Sequence, residues 1–235
     1  MRINRRIAQL YPDISRRKAD KLLASNSVWL NGHVASVGDD ADKGDDIAIE
    51  GYEQIATGNK VTMLLNKPKG YIVSHRQQGN NPTIYELLPS QMQHLNYAGR
   101  LDKDSRGLLL LTNDGDILHE LTHPSFNKDK VYQICTDKPI DLVDLTKINE
   151  GIYLDDGLSR LEITTAGSEP ENIETVTNNI YLIVIQEGRN RQIRRTLSSL
   201  GYEVIDLLRL QFGGYKLGQL KEGEYRLLDN DLYGR

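Results

Sequence analysis

Cysteine is almost missing from this sequence, with Cys135 standing alone. One thiol excludes an intrachain disulfide framework and suits a reducing compartment. Its setting in Val131-Tyr132-Gln133-Ile134-Cys135-Thr136 reads as a small apolar strand residue rather than a nucleophile. Long hydrophobic runs are missing too. No stretch approaches the length of a membrane-spanning helix, and Met1-Arg2-Ile3-Asn4-Arg5-Arg6 leads into no signal-like apolar block. A cytoplasmic protein without a membrane partner is expected. Repeats, low-complexity tracts, a Rossmann fingerprint and a Walker A loop are also absent, so no motif announces a nucleotide cofactor. Nor is there an excess of positive charge: 29 lysines and arginines face 33 aspartates and glutamates, a net of −4.

That balance hides local contrast. Arg2, Arg5, Arg6, Arg16, Arg17, Lys18 and Lys21 crowd the first segment against only Asp13 and Asp20, whereas Asp39 to Asp46 is acidic. A local basic face can grip phosphates while the whole molecule stays anionic. A solvated helix face would explain one such cluster, but explains less well a second at Arg189 to Arg195.

The element pattern predicts two domains, 1–58 and 59–235, joined near a polar stretch from Gly51 to Asn59. In the first, Ser15 can cap a helix from about Arg16 to Ala24, with Ala19, Leu22 and Leu23 for its apolar side. Val28-Trp29-Leu30 and His33-Val34-Ala35 flank Asn31-Gly32, which suits a type I′ hairpin turn. In the second, strands are expected at Val61 to Leu65, Val131 to Thr136, Tyr181 to Ile185 and Val204 to Leu210. Helices are expected at Pro82 to Leu88, Ile140 to Asn149, and Gln192 to Leu200 ended by Gly201. Strands interrupted by single helices make the fold class α+β.

The most informative segment is Gly99-Arg100-Leu101-Asp102-Lys103-Asp104-Ser105-Arg106-Gly107, followed by four leucines. The leucines read as a buried strand, so Asp102 hangs from a rigid element, where an active-site group is best held. An Asx turn is the plainer use of Asp102 or Asp104. One decoy competes. His119-Glu120-Leu121-Thr122-His123 satisfies the zinc-peptidase pattern HExxH. Pro124 follows directly, no segment supplies a third ligand, and His33, His75 and His94 are scattered, so no metal is expected.

The Asp102 segment resembles the catalytic motif of bacterial ribosomal RNA pseudouridine synthases of the RsuA/RluB/RluE/RluF family. Asn66-Lys67-Pro68-Lys69-Gly70-Tyr71, His123-Pro124-Ser125, Lys130-Val131-Tyr132 and Glu187-Gly188-Arg189-Asn190-Arg191-Gln192-Ile193-Arg194-Arg195 resemble its other motifs, in order along nearly the whole chain. The order of Ser-Arg-Arg helix, Val-x-Leu-Asn-Gly hairpin and Gly-Asp-x-Ile strand resembles the S4 RNA-binding domain. Thr196 departs from the methionine that relatives often carry, and is expected to affect helix packing only.

The resemblance implies an S4-like RNA-binding domain followed by a catalytic domain with a mixed, largely antiparallel sheet. It implies isomerisation of a uridine in ribosomal RNA, free or in a subunit assembly intermediate, by a monomer without cofactor. Asp102 is then the catalytic carboxylate, either adding to the base or forming a glycal. Arg194 pairs with it, and Tyr132 stacks on the base. Arg100 enters the space left by the flipped nucleotide, and Leu208 lines the pocket. Lys67 and Arg189 touch the RNA backbone or organise the site, and Arg16, Arg17 and Lys21 face the backbone. From the residues alone, Tyr132 and Leu208 could equally be core, and an inactive RNA-binding assembly factor competes with the enzyme.

Overall fold

The structure is a computed structural model that describes residues 1–11, 14–52, 60–165 and 179–228. It divides into two compact units, Met1–Val61 with Asn113–Gly115, and Thr62–Thr112 with Asp116–Arg235.

The first unit opens with a helix that sequence reading did not anticipate, α1 (Ile3–Leu10). Ile3, Ile7 and Leu10 fall on one face and are buried, but the intervening arginines dilute that signal. In α2 (Arg16–Ala24) Ser15 caps as expected, its side chain accepting from the Lys18 amide, while Ala19 and Leu23 face the core. β1 (Val28–Leu30) and β2 (His33–Val34) form the hairpin, with Asn31 at φ 51° and Gly32 at φ 81° giving the two left-handed residues of a type I′ turn. β3 (Ile47–Ile49) pairs with the other side of β1. Of the polar stretch Gly51 to Asn59, residues 53–59 lie outside the described residues.

The second unit is built on a nine-stranded mixed sheet. Its strands are β4 (Thr62–Lys67), β5 (Asn96–Ala98), β6 (Arg106–Thr112), β7 (Lys130–Thr136), β10 (Glu162–Thr165), β11 (Ile180–Ile185), β12 (Val204–Phe212), β13 (Tyr215–Lys216) and β14 (Tyr225–Leu228). β8 (Ile152–Leu154) and β9 (Gly157–Ser159) form a separate hairpin. Helices α3 (Gly115–Thr122), α4 (Leu142–Glu150) and α5 (Gln192–Ser198) connect them. The sheet order is β10-β11-β7-β12-β6-β4-β14, with β13 added to β12 and β5 to β6. Every pairing is antiparallel except β12 with β6. Leu108 to Leu111 in β6 are each 0% exposed, which is why that strand reads as a continuous apolar run rather than an alternation. The α+β class and the mixed sheet stand as expected. No helix among the described residues is long and apolar enough to cross a membrane.

The parallel pair brings two backbones unusually close. Gly107 sits at φ +108°, and a Cβ there would lie 2.4 Å from the Arg209 carbonyl oxygen and 2.6 Å from its amide nitrogen. Only glycine fits that position.

Candidate active site

The loop between β5 and β6 carries Asp102, and its backbone is held from Asp102 to Ser105. The Asp102 carbonyl accepts from the Ser105 amide at 3.1 Å and from Lys67 Nζ at 3.1 Å. The Lys103 carbonyl accepts from the Gly70 amide at 2.8 Å. The Asp104 carbonyl accepts from Arg194 Nη2 at 3.1 Å, and the Ser105 carbonyl from Lys67 Nζ at 2.7 Å. Four successive carbonyls with partners fix the loop without using the Asp102 carboxylate, which stays 36% exposed.

Lys67 is therefore no surface contact for a ligand. It is 0% exposed at the end of β4, and its ammonium donates to Pro68, Asp102 and Ser105. Burial pushes its pKa down to about 8, against the raising effect of Asp104, Asp102 and Glu222. Of the two roles expected for Lys67, touching the RNA backbone or organising the site, its hydrogen bonds favour the second. Lys67 pairs with Gly107 at the start of β6, which sets its ammonium beside the loop that leads into that strand.

The arginines divide their work differently from the expectation. Arg194 pairs with Asp104, its Nε 3.3 Å from Oδ2, and donates to the Val204 carbonyl. It does not pair with Asp102. The cation nearest Asp102 is Arg191, whose Nη1 lies 3.7 Å from Oδ2. Arg191 grips Asp104 with two parallel hydrogen bonds of 2.9 and 3.0 Å. Its left-handed backbone, φ 47°, just before α5 turns this side chain to the loop. Burial raises the Asp104 carboxyl, but the Arg191 hydrogen bond and the Arg194 and Arg191 charges outweigh it and hold the group below the usual range. Asp104 thus acts as the counter-ion that gathers both arginines beside Asp102. The sequence signal was the second carboxylate two positions on, which reads equally as an ordinary turn residue.

Asp102 opens onto a cleft of about 500 Å³ together with Arg100, Tyr132, Leu207 and Ile193. Tyr132, 7% exposed in β7, and Arg100, exposed and without an ion pair to a described residue, also border a neighbouring cleft of about 990 Å³. Leu208 lines neither. It is 0% exposed and packs with Leu64, Ala98, Leu108 and Leu110, so the pocket leucine is Leu207 instead. Adjacent strand residues face opposite sides, and a shift of one position exchanges cleft for core. Arg189, expected to touch the RNA backbone or organise the site, is on the organising side. Its guanidinium donates to Asp156, Gly157 and Leu158 carbonyls and to the Asp156 and Glu187 carboxylates, which consumes it in holding the β8–β9 hairpin.

Arg209 was not singled out from sequence. It is 1% exposed, donates Nε to the Leu108 carbonyl at 2.7 Å, and lies over the Phe212 ring. It faces Tyr132 across the β7–β12 pairing and adds positive charge to the larger cleft. Thr196 is buried, its hydroxyl bonded to Ser159 and to the Gln192 carbonyl, which pins α5 to the hairpin. In the HExxH segment, Glu120 is spent on Lys128 at 2.6 Å, and His123 leaves the helix to cap the turn at Pro124–Phe126. In the first unit Arg16, Arg17 and Lys21 are all exposed on α2 and form no ion pair with a described residue.

A held carboxylate, arginines around it, an aromatic wall and no nucleotide motif fit the comparisons with known proteins. Residues 61–199 match the family model described as RNA pseudouridylate synthase. A ribosomal small subunit pseudouridine synthase A from Pasteurella multocida is 33% identical, the match covering 97% of this chain and 96% of that protein. A ribosomal large subunit pseudouridine synthase B from Bacillus subtilis is 34% identical, over 91% of this chain and 86% of that one. A solved structure described as a pseudouridylate synthase is 28% identical with a TM-score of 0.67, covering 99% of this chain and 97% of its own. The chain belongs to the RNA pseudouridylate synthase family, a family of isomerases.

Proposed function

We propose that this enzyme isomerises a uridine of ribosomal RNA to pseudouridine, with Asp102 as the catalytic carboxylate. The reading is carried by one observation: the Asp102 carboxylate takes no part in the hydrogen bonds that hold the carbonyls of residues 102–105, has Arg191 at 3.7 Å, and borders one cleft with Tyr132 and Arg100. The reaction breaks the N1–C1′ bond, forms a C5–C1′ bond, and moves the C5 proton away as N1 gains one. Atoms and electrons balance within the substrate, so the chemistry calls for no cofactor.

Each group has a share in this reading. Arg191, supported by Asp104, holds charge and direction at Asp102. Tyr132, which borders the same cleft as Asp102, stacks on the base and serves as the acceptor of its C5 proton in this reading. Extruding a base from a stack costs a few kcal/mol, and the Arg100 guanidinium offsets part of it by filling the vacated space. The first unit serves as an S4-like module in which Arg16, Arg17 and Lys21 contact phosphates and position the RNA without reading its sequence. Relatives named for the small and the large subunit match at nearly equal identity, so both rRNAs are candidate substrates. The enzyme works as a monomer in this reading, on free rRNA or an assembly intermediate.

Tritium release from rRNA labelled at uridine C5 tests the proposal. The native protein is expected to release tritium in the presence of EDTA, and Asp102→Asn to bind the RNA but release none. Release by Asp102→Asn at the native rate would overturn the assignment. No release by the native protein from either rRNA or its subunit precursors would leave an RNA-binding protein in a synthase fold.

A further inference from the structure

A third cavity, of about 480 Å³, lies on the β8–β9 side of α5. It is bordered by Tyr153, Asp155 and Ser198 and by three arginines, Arg191, Arg194 and Arg195. Arg191 and Arg194 also border the Asp102 cleft, so a chain leaving that cleft over these two side chains reaches Tyr153 next. Tyr153 is 83% exposed, and it makes no hydrogen bond or ring contact with a described residue.

The hairpin that presents this ring is firmly held. Asp156 at its turn accepts from Arg189 at 2.9 Å and from Arg195 at 2.6 Å, and Arg189 also donates to three consecutive carbonyls. The Gln192, Ser159 and Thr196 side chains tie β9 to α5 from within. A rigid aromatic left in water beside guanidinium groups is the arrangement that receives an unpaired base, because every base has a π-face. The cavity rim is charged and polar, its three arginines paired with Asp104 and Asp156 and joined by Asp155, which suits a nucleic acid better than an apolar protein surface.

We propose that Tyr153 is a stacking platform for an unpaired base of the substrate RNA flanking the target uridine. This rests on the proposed function above. The ring supplies most of the affinity, because Arg191, Arg194 and Arg195 already have carboxylate partners in Asp104 and Asp156. The platform therefore contributes binding without counterion release.

Binding is measured in the Asp102→Asn protein with a fluorescein-labelled oligouridylate and with transcripts of both rRNAs. Tritium release is measured separately with Asp102 intact. Tyr153→Ala is expected to raise Kd by about five-fold or more, the usual worth of one stacked base. The slope of log Kd against log salt stays as it was, because no phosphate contact is lost. The single-turnover rate at saturating RNA stays within about two-fold, and Tyr153→Trp binds like the native chain. Native affinity in Tyr153→Ala, or equal weakening in Tyr153→Trp, overturns the platform. Absence of native turnover overturns the isomerase reading instead, and the binding comparison still decides the platform.

Discussion

Lys67 meets oxygen on three sides, and its three donated hydrogen bonds match the three protons of an ammonium group. A neutral amine has only two to give. With its pKa pushed down by burial to about 8, the group loses a proton inside the working range of many assays. The single-turnover rate is therefore expected to fall along an alkaline limb centred near pH 8, as the Asp102 loop loses a tie. Stability moves the other way. Between about pH 8 and 10.5 the unfolded chain binds the proton that the folded one has released, so this group's contribution to folding rises with pH. Parallel pH series of turnover and urea unfolding check both signs, and a rate that stays flat to pH 10 would show that the ammonium is not needed. None of this was legible in Asn66-Lys67-Pro68-Lys69-Gly70, because a lysine beside proline and glycine reads as a loop cation. Its burial follows from strand neighbours far away in sequence. The Arg191–Asp104 grip was hidden for the same reason: 87 positions separate the partners, and only the fold makes them adjacent.

At the scale of elements, the apolar strands and the hairpin were readable because their signals are local. Four leucines, the Asn-Gly turn and the Ser15 cap each announce themselves within a few residues. Register is not local, and it decided which of Leu207 and Leu208 faces the cleft. The β12 irregularities between Val204 and Asp206 and between Arg209 and Gln211 made counting along the strand unsafe. The β6–β12 crossing carries a clear cost for substitution. Gly107→Ala combines a left-handed backbone with a Cβ driven into Arg209, and is expected to destabilise the protein by roughly 2–5 kcal/mol. Urea denaturation reads this as a lower midpoint at unchanged slope. A midpoint within experimental scatter of the native one would mean that the two strands can separate at little cost. Because Gly107 is one residue into β6, surviving protein should also turn over more slowly.

At the scale of the whole molecule, composition concealed the charge that matters. A net of −4 coexists with three exposed cations on α2 that form no ion pair with a described residue, and with arginines at α5 whose counter-ions are part of the site. Replacing Arg16, Arg17 and Lys21 together by alanine should weaken rRNA binding and flatten its salt dependence by about two to three in the log–log slope. The single-turnover rate on bound RNA should persist, because these residues lie outside the unit that carries Asp102. An unchanged slope would remove α2 from the RNA-facing surface. α1 and β14 escaped notice because α1 interrupts its apolar face with two arginines and β14 is only four residues long. β14 has a consequence in time as well as in space. It covers the open edge of β4, and the Asn66 side chain, one residue before Lys67, bonds the Leu220 carbonyl 154 positions later. On the ribosome, β4 is exposed long before its partner has been translated, so the Asp102 loop stands on an unfinished foundation while the chain is still tethered. The pairing that covers β4 is thus completed only when the last described strand has been made, so the support beneath the Asp102 loop is finished late in synthesis.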